Sequence, residues 1–124
     1  MPKRSAKKPK PTRHGFVYLA RDSSGAWLLQ RRPDKGLLGG MLGWPTGDWG
    51  QTPPVECPPF DAEWATLPGE VRHTFTHFHL ILRIMTATCP DGFVPQAGFL
   101  VAKRDFRPSD LPTVMRKAYD LARG

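Results

Sequence analysis

The chain is 124 residues long, enough for one domain with a core of its own, and apolar residues at 40% with charged residues at 23% are globular values. No run approaches the roughly 18 apolar residues of a membrane span, and the basic start is not followed by the apolar stretch of a secretory signal. The net charge of +7 is unevenly placed: residues 1–13 carry Lys3, Arg4, Lys7, Lys8, Lys10 and Arg13 and no acid, which leaves twelve basic against eleven acidic residues elsewhere.

A basic arm punctuated by prolines, with no apolar residue larger than Ala6 after Met1, does not fold alone. Residues 1–13 are therefore expected as a flexible tail or linker whose six cations can follow a DNA backbone, with the folded domain over 14–124. A solvated tail touching nothing specific fits equally well.

Phe16 to Arg21 and Ala26 to Arg32 are rich in aromatic, aliphatic and β-branched residues, and Asp22, Ser23, Ser24 and Gly25 lie between them. Strand, four-residue turn, strand predicts a hairpin, with Gly25 able to take a positive φ. Phe16, Tyr18 and Ala20 alternate with Val17 and Leu19, so the first strand is apolar on both faces and is expected to be central. Arg31 and Arg32 are adjacent on a strand and point to opposite faces.

A glycine-rich stretch follows over residues 36–50, then a proline-rich one over 51–70, read as a long loop with one helical turn after Phe60. Val71 to Phe75 and His77 to Thr88 read as strands. Phe78, Leu80, Leu82 and Ile84 form an apolar face opposite His79, Ile81, Arg83 and Met85. Asp91 and Gly92 turn the chain, and Gly98 to Lys103 reads as a further strand. Leu111, Val114, Met115, Ala118, Leu121 and Ala122 repeat at helical spacing, with Ser109 or Asp110 available as a cap and Pro112 tolerated in the first turn. Several strands and one strong helix make a small α/β or α+β sandwich.

Three blocks carry a family resemblance. They are Arg32-Pro33-Asp34-Lys35-Gly36-Leu37-Leu38-Gly39-Gly40-Met41 continuing to Trp44 and Pro45, then His73-Thr74-Phe75-Thr76-His77 with Leu80, then Leu111 to Lys117. In this order, and with the hairpin, they span about residues 14–122 and the chain resembles the C-terminal, Nudix-like domain of MutY-type adenine DNA glycosylases. The resemblance implies an α/β Nudix-like sandwich, a twisted mixed sheet with a C-terminal helix and long Pro/Gly-rich loops. Gly43 stands where the family often carries Glu, and Thr76 where many members have Ser.

The resemblance also implies a task, recognition of 8-oxoguanine opposite adenine in base-excision repair, and assigns Phe75, Thr76 and His77 to the loop that reaches the oxidised base. The implied partners are double-stranded DNA bearing that mispair and the glycosylase catalytic domain of the same enzyme. The chain is expected to act as a monomer in the bacterial cytoplasm, at the nucleoid, away from membranes. An iron–sulfur cluster would belong to the absent glycosylase portion, so no cofactor is expected in this chain and, alone, it is expected not to cut the glycosidic bond.

The chemistry suits the assignment. Guanine presents an acceptor at N7, whereas the oxidised base carries a hydrogen there and a new carbonyl oxygen at C8. A Thr hydroxyl with its own backbone N–H supplies the matching acceptor and donor. A general nucleic-acid-binding module acting through the basic tail is the main alternative. A Nudix hydrolase is disfavoured because Asp48, Glu56, Asp61, Glu63 and Glu70 are scattered among prolines and cannot share one helical face. Zinc held by His73, His77, His79 and Cys57 is disfavoured because no Cys-x-x-Cys or His-x₃-His spacing supplies four ligands.

Overall fold

The computed structural model describes residues 10–32, 39–47, 49–51 and 56–123. The tail cations Lys3, Arg4, Lys7 and Lys8, residues 33–38 of the first motif and Asp48 lie outside the described residues. In chain order the strands are β1 (Thr12–Arg21), β2 (Trp27–Arg31), β3 (Leu42–Gly43), β4 (Ala65–Thr66), β5 (Val71–Thr74), β6 (His79–Thr88) and β7 (Phe99–Val101), and α1 (Thr113–Arg123) follows.

β1 is central, as its two apolar faces demand. It pairs antiparallel with β2 and parallel with β6, the latter in unbroken register from Thr12 opposite His79 to Arg21 opposite Thr88. β5 and β4 both add antiparallel to β6, one along each half, while β3 and β7 add to β2. The result is the mixed sheet with a C-terminal helix expected of a Nudix-like fold. β1 starts at Thr12, so Thr12 and Arg13, read as tail, lie in the sheet.

The hairpin turn forms around Asp22, whose Oδ1 accepts from Ser24 N at 2.9 Å, Ser24 Oγ at 2.6 Å and Ala26 N at 2.9 Å. Those donors hold the carboxyl below its ordinary range, the Ser24 hydroxyl contributing most. Gly25 takes the positive φ, 92°, that closes the turn.

The faces of the sheet are covered differently. Val17, Leu19, Leu29, Leu80, Leu82 and Ile84 pack beneath α1, against Val114, Met115 and Ala118. Trp44 is fully buried there and its Nε1 donates to Met115 O at 3.0 Å, tying the glycine-rich stretch to the helix. Gly43 beside it is buried, and a Cβ there would lie 3.2 Å from Met115 Cε, so the end of that flexible side chain would have to give by a few tenths of an ångström. On the opposite face Ala20, Leu28 and Cys89 are covered by Phe60, Trp64, Phe93 and Leu100. Tyr18 Oη accepts from Cys57 N at 2.7 Å on this side, and burial pushes the phenol pKa up.

Three local expectations are corrected. The helical turn after Phe60 does not form: residues 56–64 are irregular, organised by Phe60 packing at a tilt against Trp64 and Phe93 at 5.1 and 4.6 Å between ring centroids. Ser109 and Asp110 do not cap α1, because they belong to a separate 3-10 turn, Pro108–Asp110, and Arg116 N bonds instead to Pro112 O at 2.9 Å. His77 is not in a strand, since β6 begins at His79.

Candidate nucleic-acid interface

β5 and β6 form a hairpin whose last ladder pair is Thr74 opposite His79. Phe75 and Phe78 face each other beyond it, with Phe75 N donating to Phe78 O at 2.8 Å, and Thr76 and His77 form the tip. The apolar residues on either side of the tip explain the bend: Phe78 is buried at 7% exposure and Phe75 is half-buried against the core, so the two residues between them are pushed into solvent. Both Thr76 and His77 are exposed. Among the described residues, neither the Thr76 hydroxyl nor its backbone N–H is engaged in a hydrogen bond.

The bend is braced from behind. The Phe75 ring sits 4.7 Å from His73 and 5.0 Å from Phe78, centroid to centroid. Lys10 Nζ donates to Phe75 O at 3.2 Å, and the Arg13 guanidinium lies 4.5 Å from the Phe78 ring centre. His79 N donates to Pro11 O at 2.9 Å. Two of the six tail cations are thus placed on the hairpin, a contact between residues 65 apart that no local pattern announces.

Beside the bend lies a polar cleft of about 420 Å³ where the starts of β1 and β6, the end of β5 and α1 meet. Lys117 Nζ donates there to His73 Nδ1 at 3.0 Å and to Arg72 O at 3.2 Å. Burial, reinforced by the Lys117 charge, holds His73 below the ordinary histidine pKa. Thr74 Oγ1 and His79 Nδ1 share a hydrogen bond of 2.8 Å. Neither Lys117 nor Arg72 was singled out for this role by sequence reasoning.

The structure separates the histidines considered for zinc: His77 is at the tip, His73 is turned to Lys117 and His79 to Thr74. Among the described residues no group of three or more His, Cys, Asp or Glu side chains is placed to hold a metal ion, and no helix is long and apolar enough to cross a membrane. Glu56, Asp61 and Glu63 are exposed along the irregular bends, and Glu70 pairs with Arg72 at 2.9 Å.

The NUDIX domain family matches residues 16–121. The human protein "Adenine DNA glycosylase" is 26% identical over 142 aligned positions, which take in 99% of this chain but only 26% of that protein's length. A chain in the crystal structure of the complex between the C-terminal domain of mouse MUTYH and human PCNA superposes with a TM-score of 0.68 at 19% identity, over 90% of this chain and 87% of that one. The MutT protein from Methanosarcina mazei Go1 superposes with a TM-score of 0.67 at 16% identity, over 94% and 97%. The two structures speak to the fold, and with the sequence match they agree with the resemblance to a MutY-type C-terminal domain drawn from the three motifs.

Proposed function

The chain belongs to the NUDIX domain family, and on that footing we propose that it is the lesion-recognition domain of an adenine DNA glycosylase, reading 8-oxoguanine opposite adenine in duplex DNA. One observation carries the reading: Thr76 stands in solvent with hydroxyl and N–H both unspent among the described residues, on a bend whose flanking aromatic rings are fixed. The hydroxyl accepts from the hydrogen that oxidation adds at N7, and the N–H donates to the oxygen added at C8. Guanine offers no hydrogen at N7 for the hydroxyl to accept and no oxygen at C8 for the N–H, so the paired contact is specific to the oxidised base.

Phe75 and His77 take different parts. With its ring wedged between His73 and Phe78, Phe75 sets the height and direction of the tip. Exposed beside Thr76, His77 contacts the backbone or fixes loop geometry. Excision of adenine is assigned to a separate catalytic domain, where the base must leave the stack to expose its glycosidic bond; an iron–sulfur cluster would reside there too. The present chain contributes discrimination. In this scheme Lys3, Arg4, Lys7 and Lys8 belong to the connector between the two domains, whereas Lys10 and Arg13 serve the bend.

The test is Thr76→Val, which preserves shape and removes the hydroxyl. Binding of the full chain to duplexes containing 8-oxoguanine or guanine opposite adenine should lose about 1–3 kcal/mol of preference for the lesion. Thr76→Ser should retain it. An unchanged ratio in the valine variant contradicts the assignment.

A further inference from the structure

From the cleft beside the bend we infer a second contact, resting on the lesion-reading assignment above: a seat for a DNA backbone phosphate, built by Lys117 with His73, Arg72, Thr74, Thr12 and His79. These six polar residues line the cleft, and no acid lines it. The nearby Glu70 is occupied by Arg72 Nε at 2.9 Å.

The donor chemistry is already ordered. A lysine ammonium has three N–H groups and accepts nothing. Two of the three are spent on Arg72 O and His73 Nδ1, which fixes the ammonium in place and leaves one donor and the full charge for a ligand. Because Nδ1 of His73 accepts that bond, its ring proton is on Nε2, a further donor. A fixed cation lined by further N–H and O–H groups, with the one neighbouring carboxylate, Glu70, already taken up by Arg72, matches a phosphodiester, whose oxygens accept from several directions and carry one charge.

Position argues for a strand of nucleic acid over a free anion. Thr74 lines the cleft and lies two residues from Thr76, and His73, another lining residue, meets the Phe75 ring edge-on at 4.7 Å between centroids. One element thus presents a base-reading tip and a phosphate seat side by side, so that seating the backbone fixes how far the tip reaches towards a base edge. The seat lies in the folded domain, and neither Lys10 nor Arg13, the tail cations among the described residues, lines it.

The experiment measures affinity of the full chain for lesion and normal duplexes across a salt series, in the wild type, Lys117→Ala, Lys117→Arg and Arg104→Ala. Arg104 is a matched loss of charge, well exposed beside Asp105 and outside the cleft. Lys117→Ala should flatten the salt slope by about 0.9 log unit per log salt, the signature of one phosphate contact. It should weaken both duplexes by the same factor. Lys117→Arg should restore most of the slope, and Arg104→Ala should keep that of the wild type.

Equal slopes in Lys117→Ala and the wild type overturn the seat, as does equal flattening by Arg104→Ala or failure of the full chain to bind any duplex at low salt. Inhibition by inorganic phosphate at concentrations comparable to the strand's own affinity would assign the cleft to a free anion and also overturn it. The two readings fail separately: a lesion preference with an unchanged slope removes the seat alone, and a flattened slope without lesion preference removes the base reading alone.

Discussion

Lys10 and Phe75 are 65 residues apart in the chain, yet the ammonium meets the Phe75 carbonyl at 3.2 Å and Arg13 covers the neighbouring Phe78 ring. Cations that composition assigns to a polyanion-binding tail thus hold the back of a bend. His73 is similarly committed, to Phe75 through its ring and to Lys117 through Nδ1. Because the folded protein holds the His73 pKa below its ordinary value, the unfolded chain takes up the proton first as acidity rises. The His73 contribution to stability is therefore full above the unfolded pKa of about 6.5 and falls away as pH drops below it. Urea midpoints at about pH 7.5 and about pH 5.5 should show a smaller acid loss in His73→Gln than in the wild type. An identical loss in both would place the titration elsewhere.

The hairpin and α1 owe their reliability to different forces. The hairpin strands are named by alternation and by the Asp22–Gly25 turn, whose hydrogen bonds close within five residues. α1 is named by its apolar stripe, and the stripe is what buries: Val114, Met115 and Ala118 are at most 1% exposed. Met115→Ala should cost about 2–5 kcal/mol in urea denaturation, because it empties a site against Trp44 and Gly43 that the sheet cannot collapse to fill. A loss under about 1 kcal/mol would mean that the helix is held mainly by its other contacts.

What local pattern could not name was the pairing. Nothing in Arg13, His14 and Gly15 looks like a strand, yet they lie in ladder with β6 because a parallel partner is supplied by residues 80–82. β3 and β4 are two residues each and exist only as additions to longer strands. The bend at Thr76 was legible from the break between the strands read over 71–75 and 77–88 and from the family resemblance. The polar cleft was not, because Lys117 reaches it from a helix 44 residues beyond His73.

At the scale of the whole molecule, one face of the sheet is closed by α1 and the other by the irregular chain over residues 56–64, and the β5–β6 bend emerges at the end of the longest ladder. Ten parallel register pairs make that end a firm base, so a two-residue tip can be exposed and still directed. On the reading proposed above, the layout divides the labour: the tip would read damage, the cleft would seat the strand, and bond cleavage would fall to another domain.

Titrating the isotope-labelled full chain with a duplex carrying 8-oxoguanine opposite adenine, against a matched duplex carrying guanine, tests the central claim most directly. The account predicts that the backbone amides of Phe75, Thr76 and His77 shift strongly with the lesion duplex and little with the normal one, while residues at the cleft shift with both. Equal shifts at the three tip amides for the two duplexes, or none, would contradict it.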